Sequence, residues 1–237
     1  MQRYFSKTLN NNYFTLSEED SYHIKTVMRM KETDKIEVIY ENNGYICEIV
    51  SIDTNVKCKI VDNLKTKEKN IPNVVIAQAL VKEQKMDYIL QKTTELGVYS
   101  IIPVSTERSI VKLDTKENKK IERWNKVLKE ASEQSKRYDI PILQKVLKLE
   151  ELIKLDIKYK YICSVNEKSK TIKSVLSKLD INDTILLVIG PEGGLSKKEE
   201  EYLMNHGFES LSFGENVLRT ETASLFVLSA INYEFMR

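Results

Sequence analysis

The chain has 237 residues and a mass of 27.6 kDa, with 41% hydrophobic residues, 30% charged residues and a formal net charge of +2. That length allows one large domain or two ordinary ones with a real core. No run approaches the ~18 apolar residues of a membrane span, and the N-terminus lacks the apolar stretch of a signal peptide, so a cytoplasmic protein is expected.

Cys47, Cys58 and Cys163 show no CxxC spacing, and His23 and His206 share no cluster with them, so free thiols and no metal site are expected. A net charge near zero neither demands nor excludes nucleic acid, because a neutral average can hide a basic face.

Residues 1 to about 61 read mostly as strand. Lys35–Tyr40, Tyr45–Val50 and Val56–Val61 alternate apolar with polar side chains, and Asn42-Asn43-Gly44 supplies a hairpin turn. One helix interrupts them, capped by Ser17, with Glu18, Glu19 and Asp20 at its positive end and Tyr22, Ile24, Val27 and Met28 at helical spacing. The pattern is that of a small β-barrel carrying one helix. The polar stretch 62–72, closed by Pro72, marks a boundary between domains 1–70 and 71–237.

Beyond it the pattern becomes α/β. Strand Val74–Ala77 leads to a helix with Met86, Ile89, Leu90 and Thr93 on one face, ended by Gly97. Strand Ile101–Val104 leads to a loop with Arg108 and a long helix from about Lys116 to Lys136. Tyr161–Cys163 precedes a helix around Ile172 to Leu179, Ile185–Ile189 runs into Gly190, and Ser210–Phe213 runs into Gly214. Strands alternating with helices imply a parallel sheet, and the unbroken apolar run 185–189 suits a central strand. Ser196–Glu199 forms a capping box for a helix that Gly207 ends. In the last helix Ala223, Phe226, Val227, Ala230 and Ile231 form an apolar stripe, read as core or subunit interface.

Only seven glycines occur in the chain, and five of them fall between 190 and 214. Gly190-Pro191-Glu192-Gly193-Gly194-Leu195 is neither a GxxxxGK[ST] phosphate loop nor GxGxxG. It is either a tight strand-to-helix connector or a stiff turn whose bare backbone can hydrogen-bond a ligand. A second loop, Gly214 to Ala223, ends in Arg219-Thr220-Glu221-Thr222 at a helix start. A cation there opposes the helix dipole, so Arg219 wants an anionic partner: Glu221, Glu192 or a substrate gaining negative charge. Two such loops at one sheet edge make a pocket.

Gly190–Ser196 together with Val217–Ala223 resembles the RsmE family of 16S ribosomal RNA uridine N3-methyltransferases, of the SPOUT class. The likeness extends to His23–Arg29, Glu95–Val98, Glu107–Ser109 and Glu130–Arg137, most of the chain. It implies a PUA-like RNA-binding domain followed by an α/β SPOUT methyltransferase domain with a trefoil knot, a homodimer acting on 16S ribosomal RNA, and S-adenosylmethionine as cofactor.

On that resemblance, Gly190, Pro191, Glu192, Gly193, Gly194, Leu195, Leu211, Gly214, Val217, Leu218 and Thr220 would hold the cofactor. Arg219 would steady the charge that leaves N3 for the uracil carbonyl oxygens, with Glu221 orienting it. RNA contacts are expected from Arg3, Arg29, Arg108 and Arg137, and from Lys126 and Lys129 unless these are ordinary surface charges. The chain departs from the family at Asn216, where a basic residue is frequent, and at Lys136, where a small one is.

Two rivals remain open: a SPOUT enzyme with another RNA target, and a non-catalytic RNA-binding protein. Intact Arg219-Thr220-Glu221 disfavours the second. A nucleotide-dependent small-molecule enzyme is disfavoured by the missing phosphate motifs.

Overall fold

A computed structural model describes residues 1–65, 70–109 and 117–236. Residues 66–69 of the expected linker and Lys116 at the expected start of the long helix lie outside the described residues. Contacts divide the chain into two compact units, Met1–Glu68 with Lys129–Ile140 and Lys69–Leu128 with Pro141–Arg237.

In the first unit the expected barrel is built as one six-stranded sheet. Its strands are β1 (Arg3–Phe5), β2 (Leu9–Asn10), β3 (Tyr13–Thr15), β4 (Lys35–Tyr40), β5 (Asn43–Ile52) and β6 (Val56–Asn63), in the order β1-β4-β5-β6-β3-β2. Only β1 and β4 pair in parallel. The inward-facing alternate residues Ile36, Val38, Cys47, Ile49, Val56 and Cys58 pack with Tyr4, Phe14, Leu16 and Ile24 into one core. Cys47 and Cys58 are buried free thiols, as expected.

Two local expectations need correction. The β4–β5 turn is made by Glu41 and Asn42, at φ 49° and 62°, and Asn43 and Gly44 already belong to β5; two successive left-handed residues match the right-handed twist of the strands. The Ser17-capped helix α1 (Glu18–Tyr22) passes at His23 into a π-helical turn that runs to Val27, with Met28 N–H donating to His23 O at 2.9 Å. The wider turn breaks the 3.6-residue phase. Of the expected apolar face only Ile24 is buried, while Tyr22, Val27 and Met28 are exposed.

The segment 129–140 closes this unit. Lys129 pairs with Asp20 and, at 3.1 Å, with Glu133. Arg137 N–H donates to Ser132 O at 3.0 Å and Lys136 N–H to Glu133 O at 3.4 Å, with Lys136 itself left-handed at φ 59°. A lysine thus fills the helix-terminating position that usually goes to glycine.

Burial pushes the Glu133 carboxyl up to about 7, against the opposing pull of Lys129 and helped by Asp20. Its folded pKa lies above its ordinary value of 4.5, so the folded chain keeps a proton that the unfolded chain releases. Stability is therefore lost as pH rises from about 4.5 to about 7. Glu133→Gln should flatten that slope, worth on the order of 2 kcal/mol, as read from denaturation midpoints at acidic and mildly basic pH.

The second unit is the expected parallel α/β layer structure. Along the chain it contains β7 (Asn73–Ala79), α2 (Glu83–Glu95), β8 (Ser100–Ser105), the start of α3 (Glu117–Gln134), β9 (Ile142–Leu143), β10 (Leu147–Lys148) and α4 (Leu149–Leu152). There follow β11 (Tyr159–Cys163), α5 (Ile172–Leu176), β12 (Thr184–Ile189), α6 (Lys197–Met204), β13 (Glu209–Leu211) and α7 (Thr220–Phe235). The sheet order is β10-β8-β7-β12-β11-β13, with β9 also on β8 and every pair parallel.

β12 lies inside this sheet, and Ile185–Ile189 are all buried, so both of its faces are covered. Leu186 and Val188 join Leu152, Leu203 and Phe208 on one face. Each such side chain removed from water contributes roughly 1.5–3 kcal/mol. α2 buries Met86, Ile89, Leu90 and Thr93, and Gly97 follows it at φ 84°. α7 buries Ala223, Val227 and Ile231 as expected, but its buried face turns toward Ser224 and Leu228. Phe226 is exposed, its ring 5.3 Å from that of Phe213.

Candidate functional site

The carboxyl ends of β7, β8, β11, β12 and β13 all point to one edge of the parallel sheet, and the segments that follow them line a cavity of about 590 Å³. Ligands of open α/β sheets bind at such edges, and the volume lies in the range of small-molecule sites. All eleven residues expected at the cofactor line it: Gly190, Pro191, Glu192, Gly193, Gly194, Leu195, Leu211, Gly214, Val217, Leu218 and Thr220, joined by Arg219.

The first loop is shaped by close backbone approach. A Cβ on Gly190 would sit 2.9 Å from Leu195 N and 3.1 Å from Gly194 C, and Gly194 adopts φ 67°. The loop then enters α6 through the expected capping box, in which Glu199 N–H donates to Ser196 Oγ at 3.3 Å and Ser196 N–H to Glu199 Oε2 at 2.8 Å. The other Glu199 oxygen accepts from Glu107 N–H at 2.7 Å, and Arg108 Nη1 donates to Gly193 O at 2.7 Å. The loop after β8 is thereby fastened to the glycine loop.

The second loop is fixed to the first by a buried polar chain. Register places Gln78 of β7 beside Ile189, the last residue of β12. Gln78 Nε2 donates to Thr220 Oγ1 at 2.9 Å, Thr220 Oγ1 donates to Gly190 O at 2.7 Å, and Ser224 Oγ donates to Gln78 Oε1 at 2.7 Å. Gln78 and Ser224 are fully buried, so every one of these partners is needed to offset desolvation. Sequence reading missed Gln78; a lone amide in the apolar run of β7 was its only signal.

Arg219 stands at the N-cap of α7, exposed, and its side chain has no hydrogen bond or ion pair among the described residues. The carboxylates expected to pair with it face another cation. Lys85 Nζ lies 3.0 Å from Glu192 Oε1 and 3.8 Å from Glu221 Oε2. Burial raises the Glu192 carboxyl, but its own backbone N–H, Lys85 and Lys82 outweigh that and hold it below its ordinary value. Glu221 does not line the cavity, and its Oε2 is buried without a hydrogen-bond partner. Orientation of Arg219 by Glu221 is thus not what the geometry provides.

The remaining wall is chemically mixed. Ile189, Leu195, Leu211, Leu218 and Ala223 offer apolar surface. Among the described residues the backbone N–H groups of Glu215, Asn216, Val217 and Leu218 meet no protein acceptor. Glu200 accepts from Ser164 Oγ at 3.0 Å and pairs with no cation among the described residues. Apolar surface, free backbone donors and an uncompensated carboxylate fit a ligand with a flat heterocycle and cationic groups.

The arginines expected to touch RNA fare differently. Arg29 is exposed, at φ 53°. Arg108 is exposed but spends one nitrogen on the glycine loop. Arg137 is mostly buried and pairs with Asp139 at 2.6 Å. Arg3 is 5% exposed and pairs with Glu37 at 2.8 Å, donates to Arg137 O at 3.1 Å and lies 4.7 Å from the Tyr138 ring centre. Arg3 is a structural cation and leaves the set of surface contacts. Lys129 is occupied by Asp20 and Glu133, and Lys126 lies on the surface.

Residues 67–232 match the family described as RNA methyltransferase domain, and residues 16–61 the family described as RNA methyltransferase PUA domain. The chain is 36% identical over 249 residues to ribosomal RNA small subunit methyltransferase E of Bacillus subtilis, covering 99% of this chain and 97% of that protein. A Legionella pneumophila protein solved in complex with the bound cofactor SAM is 30% identical, with 98% and 97% of the two chains covered and a TM-score of 0.91. Ribosomal RNA small subunit methyltransferase E from Neisseria gonorrhoeae, solved bound to S-adenosyl methionine, is 26% identical, with 98% and 97% covered and a TM-score of 0.87.

Proposed function

The chain belongs to the ribosomal RNA small subunit methyltransferase E family, and on that premise we propose that it methylates N3 of a uridine in small-subunit (16S) ribosomal RNA, using S-adenosylmethionine. The observation that carries this reading is the cavity at the sheet edge, bounded by both glycine-bearing loops, with an unpartnered arginine on its rim. Residues 1–70 serve as a PUA-like RNA-binding domain and 71–237 as the methyltransferase domain.

Gly190–Leu195, Leu211, Gly214, Val217, Leu218 and Thr220 would hold the cofactor, chiefly through backbone groups and apolar contact, and Glu200 would suit a cationic group. Bound S-adenosylmethionine supplies an electrophilic methyl group. The chain's own residues act on the uracil. N3 carries a proton at neutral pH, and as that proton passes to solvent water, charge spreads onto the flanking carbonyl oxygens. Arg219, without a partner among the described residues, donates to those oxygens and lowers the cost of the anion. Arg29 and Lys126 supply cationic surface for the RNA backbone.

On the same reading the methyltransferase domain holds a trefoil knot and the protein works as a homodimer in the cytoplasm. Among the described residues no helix is long and apolar enough to cross a membrane. The deciding experiment is transfer of labelled methyl to small-subunit RNA from a strain lacking this protein, with mass mapping of the product. One N3-methyluridine is expected; methylation at a carbon or a ribose would sink the N3 assignment.

A further inference from the structure

Lys85 is the third residue of α2, in the first turn of a helix, where a cation opposes the dipole as Arg219 does at α7. Its position follows from the two carboxylates it faces. Glu192 belongs to the glycine loop after β12, and Glu221 to the first turn of α7, two residues beyond Arg219. Glu221 lies two residues beyond Arg219, and a carboxylate left without its lysine would compete for that guanidinium, whose planar fork matches carboxylate geometry. Among the described residues both acids sit on the lysine and the Arg219 side chain has no partner.

We propose that Lys85 is a positioning residue: by engaging Glu192 of the glycine loop and Glu221 of α7, it keeps the Arg219 guanidinium unpaired and available to an anionic substrate. In this role Lys85 acts through Arg219. The proposal rests on Arg219 being the group that meets the developing anion, but the state of Arg219 can be read without any methyl transfer.

The test is labelling of Arg219 by phenylglyoxal in the cofactor-free protein, quantified by peptide mass spectrometry, in the wild type and in Lys85→Gln, Lys85→Arg and Lys85→Gln/Glu192→Gln. The Lys85 side chain is about one-third exposed, so Lys85→Gln should hold the fold, checked by thermal melting. Labelling is expected to slow at least fivefold in Lys85→Gln, to stay near wild type in Lys85→Arg, and to recover in the double variant, where one competing carboxylate is gone. With RNA and saturating cofactor, Lys85→Gln should lower kcat in the same proportion while cofactor affinity by calorimetry moves less than threefold. Wild-type labelling in Lys85→Gln, or slowed labelling in Lys85→Arg or in the double variant, overturns the proposal. If the labelling pattern holds while no uridine is methylated, the positioning role stands and the proposed function fails.

Discussion

Replacing Arg219 with lysine is expected to slow single-turnover methyl transfer by roughly 10-fold to 100-fold, and replacing it with alanine by roughly 10²–10³-fold, the range found for deleting one preorganised donor to a developing oxyanion. The ordering follows from geometry. Lysine keeps the charge but is a single point of donation on a flexible stem, whereas the guanidinium presents a rigid fork to a planar anion. Among the described residues Arg219 has no ion pair to lose, so neither variant should lower the melting temperature by more than about 2 °C, within the small effects typical of exposed substitutions. The cofactor loops keep their own links through Thr220, Gly190 and Gln78, and calorimetry with S-adenosylmethionine should register a change of less than about threefold, under 1 kcal/mol. A lysine variant that transfers methyl at the wild-type rate under saturating cofactor would remove Arg219 from the chemistry.

Much of this site was legible because its signals are local. The apolar run 185–189, the glycines after it, the Ser196–Glu199 box and the Arg219-Thr220-Glu221 helix start each express a rule that operates within a few residues, and the structure brings all of them to one sheet edge. What stayed hidden depends on pairing between distant strands. Gln78 reaches Thr220 across 142 positions because β7 lies against β12, and Lys85 reaches Glu192 by the same adjacency. Strand order cannot be read from spacing. The dipole argument that marked Arg219 applies equally to Lys85, so a first-turn lysine after a buried strand was a usable signal. Arg3 illustrates the converse: it lies in parallel register with Glu37, and that pairing turns an apparent surface arginine into a buried structural one. Near Tyr22 the period itself failed, since one π turn shifts every later side chain around the axis.

Gly190→Ala is expected to cost ~2–3 kcal/mol of stability in the methyltransferase unit, at the upper end of overpacking effects, and to weaken S-adenosylmethionine binding by more than about 10-fold. The added Cβ would lie 2.9 Å from Leu195 N, 3.1 Å from Gly194 C and 3.2 Å from Gly194 Cα. All three are backbone atoms, so no side chain can swing aside and the loop itself must move. Its freedom to move is limited on several sides. Gly190 O accepts from Thr220, Gly193 O from Arg108, and Ser196 N–H is held by Glu199. Relief of the clash must therefore break at least one of those links, and breaking the Thr220 link leaves Gln78 and Ser224 buried with an incomplete polar chain. Gly193→Ala provides the contrast. Among the described residues its Cβ would meet only the Arg108 side chain, at 3.5 Å and 3.8 Å, which is ordinary van der Waals contact, and its stability should change by less than about 1 kcal/mol. Thermal melting and cofactor calorimetry on the two alanine variants decide the matter. If they behave alike, glycine at 190 is not required by close packing, and the loop is looser than its hydrogen bonds imply.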